Sequence, residues 1–291
     1  MRWLPTLLLA ILAACSEGGA EVGDLRPSER SPEPSHERPM RIVSLDFCAD
    51  QYVLKFVERT RILAISPNAT KRFSYMRDEA VGVPTVRAQA EDVLILKPDL
   101  VVRAYGGGPN ATAFFEKAGV PVLNIGWASD IDSETVQSIT GIIAHVAEGL
   151  GSLEKGEAVI AEFRQRLAAV SSSPKTTTAL YMTPSGVTTG PGSLVHQMMK
   201  AAGLENFQEF PGWRPLPLER LVYEQPDVVA AAFFDALTNH PDAWAATRHP
   251  VARRQMRDRR VVNIEGAWTA CAGWFAIEAI EAMAAGSAGV E

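Results

Sequence analysis

An α/β fold built twice within one chain is predicted by three observations. Short β-branched runs alternate with amphipathic helical stretches, one phrase occurs once in each half, and a long amphipathic stretch lies between the halves. The phrase is AEDVLILKPDLVV at 90–102 and LERLVYEQPDVVA at 218–230. In both, a glutamate (Glu91, Glu219) stands seven residues before a Pro-Asp step. Each glutamate suits the first turn of a short helix, where the partial positive charge of the helix start favours a carboxylate. Pro98 and Pro226 then stop the helix, because proline lacks the N–H that would continue it. The apolar runs that follow, 100–102 and 228–229, read as buried parallel strands.

Further strand candidates are 41–45, 62–65 and 121–125 in the first half, and 179–182 and 260–264 in the second. Helical stretches separate most of them, which argues for parallel sheets covered by helices. Between the halves, Val159, Ile160, Phe163, Leu167 and Val170 recur at spacings of three and four, the mark of one amphipathic helix. A helix over 152–170 would be about 28 Å long, enough to run along one half and into the next. The expected organisation is a first lobe at 40–151, a connecting helix at 152–171 and a second lobe at 172–291.

The first 39 residues read as an address and a tether. Arg2 precedes an apolar run at 3–12, and Leu12-Ala13-Ala14-Cys15 follows. Such a run spans only about 15 Å as helix, half of a ~30 Å hydrocarbon core, so it reads as a secretory signal at 1–15. LAAC resembles the bacterial lipobox, which implies a lipid on Cys15; an ordinary signal cut near Ala20 is the alternative. Residues 16–39, rich in Ser, Glu, Pro, Gly and Arg, bury too little to order themselves and read as a flexible tether. The mature chain retains Cys48 and Cys271. An oxidising compartment permits them to pair, but spacing alone does not decide it.

Several functions are disfavoured. A net charge of -6, with Lys and Arg scattered, leaves no basic stripe for nucleic acid. There is no GxSxG elbow, HExxH helix or CxxC pair, so a carrier is expected rather than an enzyme. The GPGS segment at 190–193 opens a helix but lacks the Lys and Ser/Thr of a nucleotide loop.

Taken together, RIVSL with ADQYVLKF, AEDVLILKPDLVV, FFEKAGVPV at 114–122 and GPGSLVHQMMKAAGLENF at 190–207 resemble, in order and spacing, a known family. It is that of the class III periplasmic binding proteins, which serve ABC importers of ferric siderophores, haem and cobalamin. The likeness runs over about residues 40–285. It implies two α/β lobes, each a mainly parallel sheet flanked by helices, joined by a single long helix with the ligand in the cleft between them. It also implies an extracytoplasmic location, a permease with its ATPase as partner, and no resident cofactor, the ligand being a metal chelate. In the family a glutamate on each lobe docks onto permease arginines, and the matching positions are Glu91 and Glu219. A sensing or scavenging lipoprotein without a permease is the alternative. Bare metal-ion binding would call for several histidines, yet His36 lies in the tether, His145 reads as helical, and His196, His240 and His249 all belong to the second half.

Open α/β sheets bind ligands beyond the carboxyl ends of their strands. That rule nominates Asp46, Phe47, Ser66, Pro67, Arg103, Tyr105 and Trp127 in the first lobe, and Thr183, Trp213, Phe233, Phe234 and Trp268 in the second. Two aromatic walls closing on a bulky ligand are thereby expected, although each ring could equally belong to core or rim. Arg72, Arg77, Arg87 and Arg103 would suit anionic groups on such a ligand. The glycine run at 106–108 reads either as a close approach of backbone to ligand or as a simple turn.

Overall fold

The computed structural model describes residues 39–133, 135, 137–170, 177–233 and 248–288. Cys15, residues 16–38 of the expected tether and Phe234 lie outside the described residues, as does the side chain of Phe233. In the first lobe the order is β1 (Ile42–Ser44), α1 (Phe47–Phe56), β2 (Ile62–Ala64), α2 (Ala90–Leu94), β3 (Leu100–Arg103), α3 (Ala111–Lys117), β4 (Val122–Asn124) and α4 (Ile139–Gly149). These strands form one parallel sheet in the order β2-β1-β3-β4, with Ile42 beside both Ile62 and Leu100. Burial on both faces, complete along β1 and β3, explains why they read as unbroken apolar runs.

Next comes α5 (Leu153–Ala169). Its buried stripe, Val159 and Phe163, follows the predicted periodicity. Near its start Gly156 allows α4 to come close, for a Cβ there would lie 2.4 Å from the Cβ of Ala147. One turn of charge shows that the helix serves both halves. Arg164 binds Asp132 of the first lobe at 2.8 Å, and Arg166 reaches Glu278 and Glu281 at 2.9 and 2.6 Å.

The second lobe contains β5 (Thr178–Met182), β6 (Val187–Thr189), α6 (Leu194–Ala201), β7 (Glu205–Asn206), β8 (Trp213–Pro215), α7 (Arg220–Tyr223), β9 (Val228–Phe233), α8 (Pro250–Asp258), β10 (Arg260–Glu265), α9 (Gly266–Thr269) and α10 (Ala276–Ser287). Its parallel sheet runs β10-β9-β5-β7. An antiparallel pair, β6 with β8, was not foreseen from sequence. Gly190 makes room for it, because a Cβ at that position would lie 2.0 Å from the Phe210 carbonyl oxygen. The GPGS turn thus closes on the protein's own chain, and Ser193 caps α6 by accepting from the N–H of His196 at 3.1 Å.

One apolar core runs through both lobes, from Ile42 and Tyr52 through Phe163 to Tyr181 and Ile280. Smaller clusters cover the outer face of each sheet. Along one side the lobes are also tied directly. Cys48, in the first turn of α1, is bonded to Cys271, just after α9, with Cα atoms 5.5 Å apart. Beside the disulfide, the Tyr52 hydroxyl donates to the Ala272 carbonyl at 2.8 Å. Trp274 meets Tyr52, Phe56 and Tyr75 edge-on at 5.6, 6.0 and 6.3 Å, and Tyr75 stacks on Phe275 at 4.7 Å. Arg77 completes the tie by pairing with Glu265 at 3.0 Å.

Candidate ligand-binding cleft

The floor of the first lobe's cleft edge is organised by Asp46, two residues after β1. One carboxylate oxygen caps α1 by accepting from the Ala49 N–H at 3.0 Å. The other accepts from three successive backbone amides, Ala104, Tyr105 and Gly106, at 2.8, 3.0 and 2.8 Å. A buried carboxylate is tolerated because these donors replace water. Asp46 therefore locks the loop after β3 rather than facing a ligand.

Arg103 holds the same loop from the other side. It is buried, donating to the carbonyls of Gly106 and Gly108 and to Thr112 Oγ1 and Asn124 Oδ1 at 2.8 to 3.1 Å. Gly106 sits where a Cβ would lie 2.6 Å from Leu45, so the glycine serves packing of the loop onto the β1 end. The expected cationic patch is accordingly not a free one: Arg77 pairs across the lobes, Arg87 pairs with Asp92 at 2.7 Å, and Arg103 is enclosed.

Two further polar candidates are turned inward. The Ser66 hydroxyl donates to Asp50 at 2.5 Å and its N–H to the other oxygen of the same carboxylate at 3.1 Å. Burial pushes the Asp50 carboxyl up to about 7, against the opposing pull of its Ser44 and Ser66 hydrogen bonds. The Thr183 hydroxyl closes the turn before β6 by donating to the Val187 carbonyl at 3.0 Å. Strand-end position marks where a residue lies, and these hydrogen bonds determine which way it faces.

Tyr105, on the locked loop, is part of a row of rings gathered from four segments. Phe47 meets Phe73 at 4.8 Å and Tyr105 at 6.2 Å, both edge-on, and Tyr105 stacks on Trp127 at 6.5 Å. Exposure rises along the row, from half-buried Phe47 through Tyr105 at 44% to Trp127 at 65%. Desolvation, aided by repulsion from Asp46 and Asp50, pushes the Tyr105 phenol up to about 12, so at neutral pH it offers an intact O–H donor. Strand-end position does not nominate Phe73, since it lies nine residues beyond β2 in the turns of 66–85. Exposed Pro67 stands at the start of that segment.

On the second lobe Trp213 is 59% exposed and edge-on to Tyr181 of β5 at 6.1 Å. Trp268, in α9, is half-buried against the common core. Phe233 ends β9 beside Glu265. The described histidines are placed for structure: His145 bonds the Asn124 carbonyl at 3.1 Å, His196 meets Asn206 at 3.2 Å, and His249 caps α8. Among the described residues no group of three or more His, Cys, Asp or Glu side chains could hold a metal ion.

Glu91 lies in the first turn of α2, and Glu219 immediately precedes α7. Both are exposed.

Solved structures share this architecture. The periplasmic haem-binding protein HutB of Vibrio cholerae is similar with a TM-score of 0.68 and 19% identity over 86% of this chain and 98% of its own. The periplasmic haem-binding protein RhuT of Roseiflexus sp. RS-1 gives 0.64 and 22% over 85% and 98%. The periplasmic vitamin B12-binding protein BtuF of Vibrio cholerae gives 0.62 and 19% over 86% and 96%. No curated protein sequence matches the chain. The family model described as periplasmic binding protein matches residues 42–234, from the first strand of one lobe to the end of the central strand β9 of the other, and the chain therefore belongs to the periplasmic binding protein family.

Proposed function

We propose that this protein is the extracytoplasmic substrate-binding component of an ABC importer, tethered by a lipid on Cys15, and that its cleft takes a bulky metal chelate. The candidates are haem, cobalamin or a ferric siderophore. The observation that carries the reading is the row Phe73, Phe47, Tyr105 and Trp127, in which Tyr105 stands on the locked loop after β3 and exposure rises from Phe47 toward Trp127. Rigid aromatic area suits a large ligand with extended apolar faces, and the Tyr105 hydroxyl adds one polar contact. Haem and vitamin B12 in the names of similar structures favour the same class. The family is one of ligand carriers, not catalysts.

Titration of the full chain with haemin, cobalamin and a panel of ferric siderophores, read by tryptophan fluorescence, tests the proposal. Trp127 and Trp213 are open enough for a bound chelate to quench them. One chelate should quench saturably at micromolar concentration or below, and loss of the response in Trp127→Ala would place it at the row. If none of these chelates quenches, the ligand class is wrong. Docking is assigned to Glu91 and Glu219, and the lipid to Cys15; Cys15→Ala should abolish lipid labelling and release the protein from membranes.

A further inference from the structure

The repeated phrase has a second exposed feature besides its glutamates. Aligned on Pro98 and Pro226, Val93 matches Leu221 and both are buried, while Glu91 matches Glu219 and both are exposed. Ile95 then matches Tyr223. These are the two most exposed large apolar side chains among the described residues, at 77% and 87%. Single exposed apolar residues are ordinary on protein surfaces. The two highest exposures falling on one repeat position in two different lobes is not explained by that rule.

Local geometry binds each apolar residue to its glutamate. Ile95 has helical φ and ψ, and its N–H donates to the Glu91 carbonyl at 3.3 Å, so the two residues are one turn apart. Glu219 is likewise in helical conformation, and Tyr223 ends the turn that it starts. A spacing of four puts both members on one face. Neighbouring charges are occupied: Asp92 binds Arg87, and Arg220 binds Glu224 and Glu209 at 2.6 and 3.0 Å. Neither Glu91 nor Glu219 has an ion-pair partner among the described residues.

We infer that Ile95 and Tyr223 are paired apolar anchors that seat on the permease beside Glu91 and Glu219, one on each lobe. This rests on the importer reading above. The occupant must present two like surfaces, because the patches are related by the repeat, and each surface must offer a basic group next to an apolar depression. A permease built of two like halves meets that description. Charge steers the encounter and an apolar anchor slows departure, so the two components should respond differently to salt.

The test measures binding of the full chain to the permease–ATPase complex in nanodiscs at about 0.05 M and about 0.5 M salt. Ile95→Ser with Tyr223→Ser should weaken binding at least tenfold at both salt levels. Glu91→Gln with Glu219→Gln should weaken it chiefly at low salt, and Tyr223→Phe should bind nearly as wild type. Melting temperature and chelate quenching serve as controls and should not move, since neither side chain is buried. If the glutamine pair loses docking while the serine pair binds like wild type, the apolar anchors are refuted and the docking glutamates stand. If both pairs bind like wild type, the importer docking reading fails along with the anchors. Concentration-dependent dimerisation of the wild type, lost in the serine pair, would assign the patches to a second copy and overturn the inference.

Discussion

Aromatic side chains gather at two places, one joining the lobes and one on the first lobe beyond β3 and β4, and their treatment is opposite. At the first, Tyr52, Phe56 and Phe275 meet Trp274 edge-on, Tyr52 stacks on Phe56, a disulfide lies beside them, and the Tyr52 hydroxyl donates to the Ala272 carbonyl. Along the side of β3 and β4, Tyr105 and Trp127 touch each other but remain open. Each well-packed aromatic pair contributes about 0.5 to 1.5 kcal/mol beyond area burial. The first group places that energy between the lobes, whereas the second leaves Tyr105 and Trp127 44% and 65% exposed. Residue type alone does not separate a packed clamp from an open row; burial and partners do.

Perturbing each group should yield distinct effects. The largest is expected for Phe275→Ala, which empties a fully buried site and should cost about 3 to 5 kcal/mol in denaturant unfolding. A cost below about 1 kcal/mol would mean that the cluster is not a clamp. Replacing Cys48 and Cys271 by serine should lower stability by about 2 to 4 kcal/mol, because the bond closes a loop of 223 residues that the unfolded chain must otherwise leave open. Reductant should reproduce that loss in the wild type and do nothing to the variant.

Asp50 gives a pH signature on the clamp side of the cleft floor. Its folded carboxyl is raised from 3.8 to about 7, so the folded state binds the proton more tightly than the unfolded chain. The resulting stabilisation is fully present below about pH 4 and is lost as pH rises through 7, at about 1.4 kcal/mol per unit of displacement. Asp50→Asn should flatten that part of the stability–pH curve, and an unchanged slope would locate the titration elsewhere. The smallest effect on folding belongs to Trp127→Ala, which should move stability by less than about 1 kcal/mol while weakening chelate binding at least tenfold. A large loss of stability instead would make Trp127 part of the clamp.

Strands with continuous β-branched runs were legible in the sequence. The 100–102 and 260–264 readings correspond to β3 and β10 within a residue, since burial on both faces leaves a strong local signal. The pair β6 and β8 was not legible, because Trp213-Arg214-Pro215 is exposed and carries neither alternation nor a β-branched run. Site positions were partly legible. Of the positions that strand-end logic nominates, Tyr105 and Trp127 are exposed and Phe47 half-buried, whereas Ser66, Arg103 and Thr183 turn inward to partners that are invisible to spacing. Phe73 lacked any periodic context. The pairing of Cys48 with Cys271 depends on two lobes meeting, which no local pattern encodes.

The covalent tie has a mechanical consequence. Cys48 follows β1 and Cys271 follows β10, whereas Trp127 lies beyond β4 and Trp213 rests against β5, two strands away in each sheet. At about 4.8 Å per strand, the exposed rings stand roughly 10 Å from the strands that carry the bond. A rotation about that bond would displace the rings near Trp127 and Trp213 more than the floor at Asp46. The bond thus fixes the separation of the lobes at one edge and leaves the opposite edge with no covalent tie among the described residues.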